Sequence, residues 1–239
     1  MTVDEFIQAL ENKGIHLSSD QVDQFDSYYR LLVEWNQKVN LTAISDREEV
    51  YLKHFYDSLM PLWMTDLSFQ DLDLVDIGAG AGFPSVPLMI AEPYLRVTII
   101  DSLNKRINFL EEVKLALGLT QLTALHGRAE DFGQNPDFRQ SFDIATARAV
   151  AQLNILSEFC LPFVRKGGYF LAMKGQKVDE EVDQAQSAIK VLGGKFLETV
   201  KENLPQEEGQ RSIVLIRKAL ETPNKYPRRP GKPAKQPLT

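Results

Sequence analysis

One cysteine, Cys160, and three histidines are all the thiols and imidazoles that the 239 residues offer. A single thiol builds neither a disulfide framework nor a cysteine-based zinc site, so no metal is expected. No run approaches 18 apolar residues, so no helix is expected to span a membrane. The opening MTVDEFIQALENKG is acidic and amphipathic rather than a secretory leader, and a cytoplasmic location is expected. Strand patterns are missing before about residue 72, and internal repeats are missing throughout. What remains is ordinary globular composition, with 44% hydrophobic and 25% charged residues, enough to build a sizeable core.

Net charge is −6, which by itself argues against a polyanionic partner. The average conceals an asymmetry. The Pro-rich segment 225–239 (KYPRRPGKPAKQPLT) holds five basic residues and no acidic ones, which leaves the other 224 residues at −11. An acidic body with a basic tail can still meet a polyanion at its basic face. The prolines predict an extended or polyproline-like tail.

Helical periodicity dominates the first 65 residues. Phe6, Ile7 and Leu10 form a short stripe ending at Gly14, and Ser18 with Gln21 reads as a capping box. Val22, Phe25, Tyr29, Leu32, Trp35 and Val39 predict a long amphipathic helix. Ser45 with Glu48 predicts a further cap, opening a helix through Val50, Leu52, Phe55 and Leu59. From residue 72 the pattern changes. Strands are expected at LDLVDI, 96–101, 122–127, 142–147 and 169–174, with helices between them, and 195–200 and 212–217 read as a final antiparallel pair. This alternation predicts an α/β fold with a mostly parallel sheet covered on both faces. The expected domains are a helical extension over 1–65, a catalytic domain over 66–220 and a basic tail over 221–239.

The most specific segment is Leu74–Phe83, LVDIGAGAGF. A buried strand runs into Gly78, Gly80 and Gly82, and glycines there let backbone N–H groups approach a ligand. A dinucleotide fingerprint, GxGxxG, needs glycine at 83, where this chain has Phe83. Asp76, just before the turn, would repel a pyrophosphate but suits a ligand with a free ammonium group. Asp101, followed by Ser102, ends the second strand where a carboxylate can accept ribose hydroxyls. Together these features favour S-adenosylmethionine over a nicotinamide dinucleotide. Ala129 and Glu130, after the third strand, fall where an adenine ring would rest.

The fourth strand ends in Thr146-Ala147-Arg148-Ala149. The Asn/Asp-Pro-Pro-aromatic turn of exocyclic-amine methyltransferases is missing there. Cys160 lies in an apolar helix pattern, so a C5-pyrimidine mechanism lacks its nucleophile. A ribose 2′-O mechanism would need a lysine constellation; Lys174 is available, but Arg148 stands in the acidic position. Arginine cannot act as a general base. The acceptor should therefore already own a lone pair, as guanine N7 does. Arg148 could orient that base, contact the cofactor's carboxylate, or simply pair with an acid. Small-molecule or protein methylation, and non-catalytic cofactor binding, remain alternatives on these residues alone.

WNQKVNLTAI (35–44), His54-Phe-Tyr-Asp-Ser58, VDIGAGAGFPSVPL (75–88), DSLNKR (101–106), GRAED (127–131), TARAV (146–150) and KYPRRPGKP (225–233) together resemble the RsmG (GidB) family. The resemblance spans essentially the whole chain. It implies a seven-stranded class I, Rossmann-like methyltransferase with a helical N-terminal extension. It also implies transfer from S-adenosylmethionine to N7 of guanine 527, in the 530 loop of 16S rRNA, with naked rRNA, a precursor or the small subunit as partner. The cofactor set expected from turn and resemblance is Asp76, Gly78, Gly80, Gly82, Phe83, Asp101, Ser102, Ala129, Glu130 and Arg148. The expected RNA contacts are Asn36, Lys38, Asn40, Lys105, Lys174, Arg228, Arg229 and Lys232. Asn36 and Asn40 equally suit a helix terminus. His54 is expected to be structural rather than catalytic, and the protein is expected to act as a monomer.

Overall fold

The computed structural model of the protein describes residues 1–207 and 209–239. The Thr2 hydroxyl accepts the Glu5 N–H, and the Glu5 carboxylate accepts the Thr2 N–H, which starts α1 (Val3–Glu11). The Ser18–Gln21 box opens α2 (Ser19–Val39), which ends with Asn40 in the left-handed region at φ 48°. The third cap falls one residue later than the sequence pattern implies. The Asp46 carboxylate, not the Ser45 hydroxyl, accepts the Glu49 N–H at 3.0 Å, because Asp46 is the residue with extended backbone ahead of the first turn. From there α3 (Arg47–Val50) continues into a wider-turned π-helical stretch, Tyr51–Tyr56, and then into α4 (Asp57–Leu59) and α5 (Pro61–Met64). Such wide turns concentrate at functional sites, and this one carries His54.

The remaining elements alternate as the pattern predicts. They are β1 (Asp73–Ile77), α6 (Ser85–Ala91), β2 (Arg96–Asp101), α7 (Asn104–Leu117), β3 (Leu122–His126), α8 (Ala129–Phe132), β4 (Phe142–Arg148), α9 (Leu153–Cys160), β5 (Val164–Lys174), α10 (Val178–Val191), β6 (Gly194–Asn203) and β7 (Gln210–Lys218). All seven expected strands join one sheet in the order β3-β2-β1-β4-β5-β7-β6. Strand β7 is antiparallel to both its neighbours; the other pairings are parallel. The order reverses direction between β1 and β4. The loops after those two strands therefore diverge to opposite faces and open a crevice at the strand ends, where ligands bind in such sheets.

Each face of the sheet has its own apolar layer. On one, the extension packs Phe6, Phe25, Tyr28 and Phe55 together with Phe83 and Phe109 of the α6 and α7 side. On the other, Leu156, Phe163, Ala185 and Ile189 cover the sheet from α9 and α10. Cys160 is buried in this second layer, as its helix pattern implies. Within α2 the fully buried tyrosine is Tyr28 rather than Tyr29. Its hydroxyl donates to the Ala81 carbonyl, so one side chain joins the extension to the glycine turn.

The tail differs from the expected extended strand. Tyr226 and Pro233 are buried, and residues Lys232–Lys235 form a short helix, α11. Arg139 donates to the carbonyls of Thr222 and Tyr226, both at 2.7 Å. Arg228 holds Glu158 by three guanidinium contacts of 2.6–3.1 Å and by its own backbone N–H at 2.8 Å. Glu158 is only 1% exposed. A carboxylate buried that deeply needs a fixed cation, and this requirement folds the tail back onto the body. Proline forbids a long helix here but not docking.

Candidate active site

The glycine turn leaves β1 with three positive φ angles, 75° at Gly78, 63° at Gly80 and 96° at Gly82. The three have different reasons for lacking a Cβ. At Gly82 an added methyl would come within 2.7 Å of Val86 and 2.8 Å of the Tyr28 hydroxyl, so packing forbids it. At Gly80 the nearest atom is Arg106 Cζ at 4.0 Å, so that position faces open space.

Open space here is a cavity of about 430 Å³, lined by Thr42, His54, Gly78–Ala81, Phe83, Asp101, Ser102, Arg106 and the Arg148–Val150 turn. Its volume falls in the range of small-molecule sites. Asp76 lies under the turn, fully buried and behind the residues that line the cavity. One of its oxygens accepts from the Ser85 hydroxyl, while Oδ1 has no hydrogen-bond partner. Burial pushes the Asp76 carboxyl up to about 7. A buried carboxylate oxygen left without a donor is what a ligand carrying an ammonium group would satisfy, directly or through water.

Asp101, 2% exposed, accepts the Gly80 N–H at 3.2 Å, the Leu103 N–H at 2.9 Å and an Arg106 guanidinium N–H at 3.1 Å. The carboxylate is thereby aimed at the glycine turn. Arg106, which the sequence reading passed over, is its movable partner at the cavity wall. The residues present fit S-adenosylmethionine: an unpartnered acid for its ammonium, an oriented acid for ribose, and a turn a Cβ would fill.

Arg148, at the end of β4, is paired with an acid. Its guanidinium donates to Asp57 Oδ2 at 2.6 Å and lies 5.0 Å from the centre of the Phe83 ring. His54 stacks on the other edge of this group, 4.5 Å from Phe83 by ring centres, and its Nε2 is 2.8 Å from the Thr42 hydroxyl. Burial and the Arg148 charge push the His54 imidazole down to about 3. His54 is therefore neutral and weakly basic at physiological pH.

A second cavity, about 370 Å³, abuts the first and is lined by Asp57, Met60, Met173, Lys174, Gly175, Glu181, Arg211, Ser212 and Ile213. His54, Arg148 and Ala149 line both cavities and form the partition between them. Asp57 also accepts from Arg211 Nε at 2.9 Å, so one carboxylate ties the extension to β4 and to β7.

Several expected site residues stand elsewhere. Ala129 and Glu130 do not line the first cavity, and the Glu130 carboxylate accepts the Gly231 N–H at 2.9 Å. That carboxylate is committed to the tail. Asn36 accepts the Thr42 N–H at 2.9 Å and Asn40 closes α2; both fill structural roles at the helix end. Lys38 pairs with Glu34 on an exposed face. Lys174 is 10% exposed in its side chain and bonds Glu181 and the Ala151 carbonyl, and Arg228 is bound to Glu158. Burial and fixed partners withdraw these two from phosphate contact. Lys105, Arg229 and Lys232 stay exposed.

In its class, this fold is that of the Rossmann-like class I methyltransferases. Among solved structures, Methanococcus jannaschii fibrillarin, a pre-rRNA processing protein, aligns with a TM-score of 0.53 at 15% identity, covering 70% of this chain and 78% of its own. M. jannaschii TYW2, solved in complex with AdoMet, aligns at 0.50 and 14%, covering 64% and 70%. The particular family follows from sequence. The model of rRNA small subunit methyltransferase G (GidB) matches residues 21–214, and the Ribosomal RNA small subunit methyltransferase G of Lactococcus lactis subsp. cremoris (strain MG1363) is 54% identical over 238 residues, 100% of each chain. The chain belongs to the GidB family of small-subunit rRNA methyltransferases.

Proposed function

We propose that this protein transfers a methyl group from S-adenosylmethionine to N7 of guanine 527 in the 530 loop of 16S rRNA. The observation that carries this reading is the pair of abutting cavities: a cofactor-sized one under the glycine turn, and a second one across the Arg148 partition. Bound S-adenosylmethionine supplies an electrophilic methyl group. The chain's part is to bind and orient. Asp76 Oδ1 receives the ammonium group, Asp101 receives the ribose hydroxyls, and the backbone of Gly78–Gly82 admits the ligand closely. Ser102 and Phe83, which line the cavity, border the nucleoside end.

No residue at the partition is a competent base near pH 7. Arg148 is a cation fixed by Asp57, and His54 is held neutral with little affinity for a proton. An acceptor that must lose a proton is poorly served by this set, whereas guanine N7 presents a bare lone pair. Lys38, Lys105, Arg229 and Lys232 offer cations to rRNA phosphates. The working unit is taken as a cytoplasmic monomer, with residues 66–220 as the catalytic domain, 1–65 as its helical extension and 221–239 as its basic tail.

Mapping N7-methylguanine in rRNA from cells with and without the gene tests this reading. Loss of one N7-methylguanine from 16S rRNA on deletion is expected. An unchanged 16S pattern overturns it.

A further inference from the structure

The second cavity has acidic and basic walls, and their hydrogen-bond accounts differ. Asp57 has both oxygens engaged, Oδ2 by Arg148 at 2.6 Å and Oδ1 by Arg211 at 2.9 Å. Glu181, on the first turns of α10, does not. Its Oε2 takes both of its bonds, from Lys174 Nζ at 2.6 Å and from the Leu153 N–H at 2.9 Å. Among the described residues Oε1 has no partner, and it belongs to a side chain that lines the cavity and is 25% exposed. Its orientation is fixed because two elements hold the other oxygen: the turn before α9 through Leu153, and the end of β5 through Lys174.

Across the same cavity, Arg211 uses Nε on Asp57 and Nη1 on the Gln210 carbonyl at 3.4 Å, which leaves Nη2 as a donor. Met60, Met173 and Ile213 supply apolar surface between these groups. A held carboxylate oxygen and a held guanidinium donor, on apolar walls, are the complement of one edge of guanine. Its N1–H and N2 amino group donate, and its O6 accepts. Adenine presents the opposite pattern at its N1 and exocyclic positions and would leave Glu181 facing a lone pair. Arg211 is joined through Asp57 to Arg148 of the partition, so a base whose N7 faces the partition would meet Arg211 in the order N7, O6, N1 around the ring.

We propose that Glu181 is a specificity-determining residue that reads the N1–H and N2 amino group of the acceptor guanine through Oε1, with Arg211 donating to O6. The inference rests on the methyl-transfer reading above. Its chemistry separates it from a structural role for Glu181, because the Oε2 bonds to Lys174 and Leu153 are structural and the Oε1 acceptor is not.

The test uses small-subunit rRNA carrying either guanine or inosine at the target position. Inosine keeps N7, O6 and N1–H but lacks the amino group. Single-turnover methylation is measured with wild type, Glu181→Gln and Glu181→Asp. Wild type is expected to prefer guanine by roughly tenfold or more, the value of a charge-assisted bond. Glu181→Gln is expected to lose at least tenfold on guanine and to reduce the guanine-to-inosine ratio towards one. S-adenosylmethionine affinity by calorimetry should stay within about twofold in both variants. Glu181→Asp keeps the charge and serves if the glutamine variant melts early; it should retain part of the ratio. A guanine-to-inosine ratio that is the same in wild type and both folded variants overturns the proposal. Wild type that leaves N7 of the target unmethylated in both RNAs overturns the underlying reading instead.

Discussion

With the ammonium group on Asp76, as proposed, binding becomes coupled to pH. The Asp76 carboxyl is pushed up to about 7 by burial, while its neighbour oxygen is satisfied only by Ser85. Below that pH the group is neutral and offers an ammonium ligand little. S-adenosylmethionine affinity of the protein should therefore rise as pH increases through about 7, and Asp76→Asn should abolish the rise and weaken binding at pH 8 by about 1–3 kcal/mol, as calorimetry across pH 6–8.5 would show. The stability sign is opposite. An acid raised in the folded state from 3.8 contributes stability at low pH and loses it as pH climbs through the folded value. Asp76→Asn should thus melt higher than wild type at pH 8 in the absence of ligand, with little difference at pH 4. The glycines divide in the same way. Gly82→Ala meets Val86 and Tyr28 and should lower Tm, whereas Gly80→Ala meets no protein atom closer than 4.0 Å. Gly80→Ala should cost about 1–2 kcal/mol through its left-handed backbone but lose tenfold or more in cofactor affinity. His54, held at about 3, should add no ionisation between pH 6 and 8 to the single-turnover rate. A neutral-range step that disappears in His54→Ala would make it a proton carrier and undercut N7 as the acceptor.

The tail is an element whose removal has a different cost from the one its composition implies. A basic, Pro-rich terminus reads as a dispensable electrostatic arm. Docked, it neutralises Glu158 and caps Glu130. Truncation before Lys225 would strand a buried carboxylate, a loss of about 3–5 kcal/mol, and should lower both Tm and cofactor affinity. Neutralising only the exposed Arg229, Lys232 and Lys235 to glutamine should leave Tm and cofactor affinity alone. It should flatten the slope of log rRNA affinity against log salt by up to about 2–3 units. The contrast shows what a sequence can carry. Period-two and period-3.6 patterns state which residues face a core, so the strands, the long helix and the glycine turn were readable. Pairings across distant elements leave no local trace. Asp57 between Arg148 and Arg211, Tyr28 on Ala81, and Glu158 under Arg228 each join residues separated by 53 to 154 positions. Their partners are chosen by the folded sheet, and so Arg228 and Lys174 looked like free cations.

At the scale of the whole molecule, the extension and the sheet share one apolar layer, in which Phe6, Phe25, Tyr28 and Phe55 meet Phe83 and Phe109. Burial of each such ring is worth about 1.5–3 kcal/mol, so a chain beginning at residue 66 would lose the cover of Phe83 and Phe109 at once. That fragment should be molten or aggregated by near-ultraviolet circular dichroism, even though it contains every glycine-turn residue. Charge is also distributed at this scale: the body outside 225–239 carries −11, whereas the docked tail presents exposed Lys225, Arg229, Lys232 and Lys235 and holds no acidic residue.

Asp57 has a further consequence, in time rather than in space. Its carboxylate needs Arg148 from β4 and Arg211 from β7, and β7 must insert between β5 and β6. A ribosome synthesising this chain has made the glycine turn long before it has made Arg211. Until that arginine has left the exit tunnel, Arg148 lacks its fully anchored partner and the partition between the cavities is unfinished. The anchored partition is therefore among the last parts of the fold to be completed, because it waits for β7 to pair between β5 and β6.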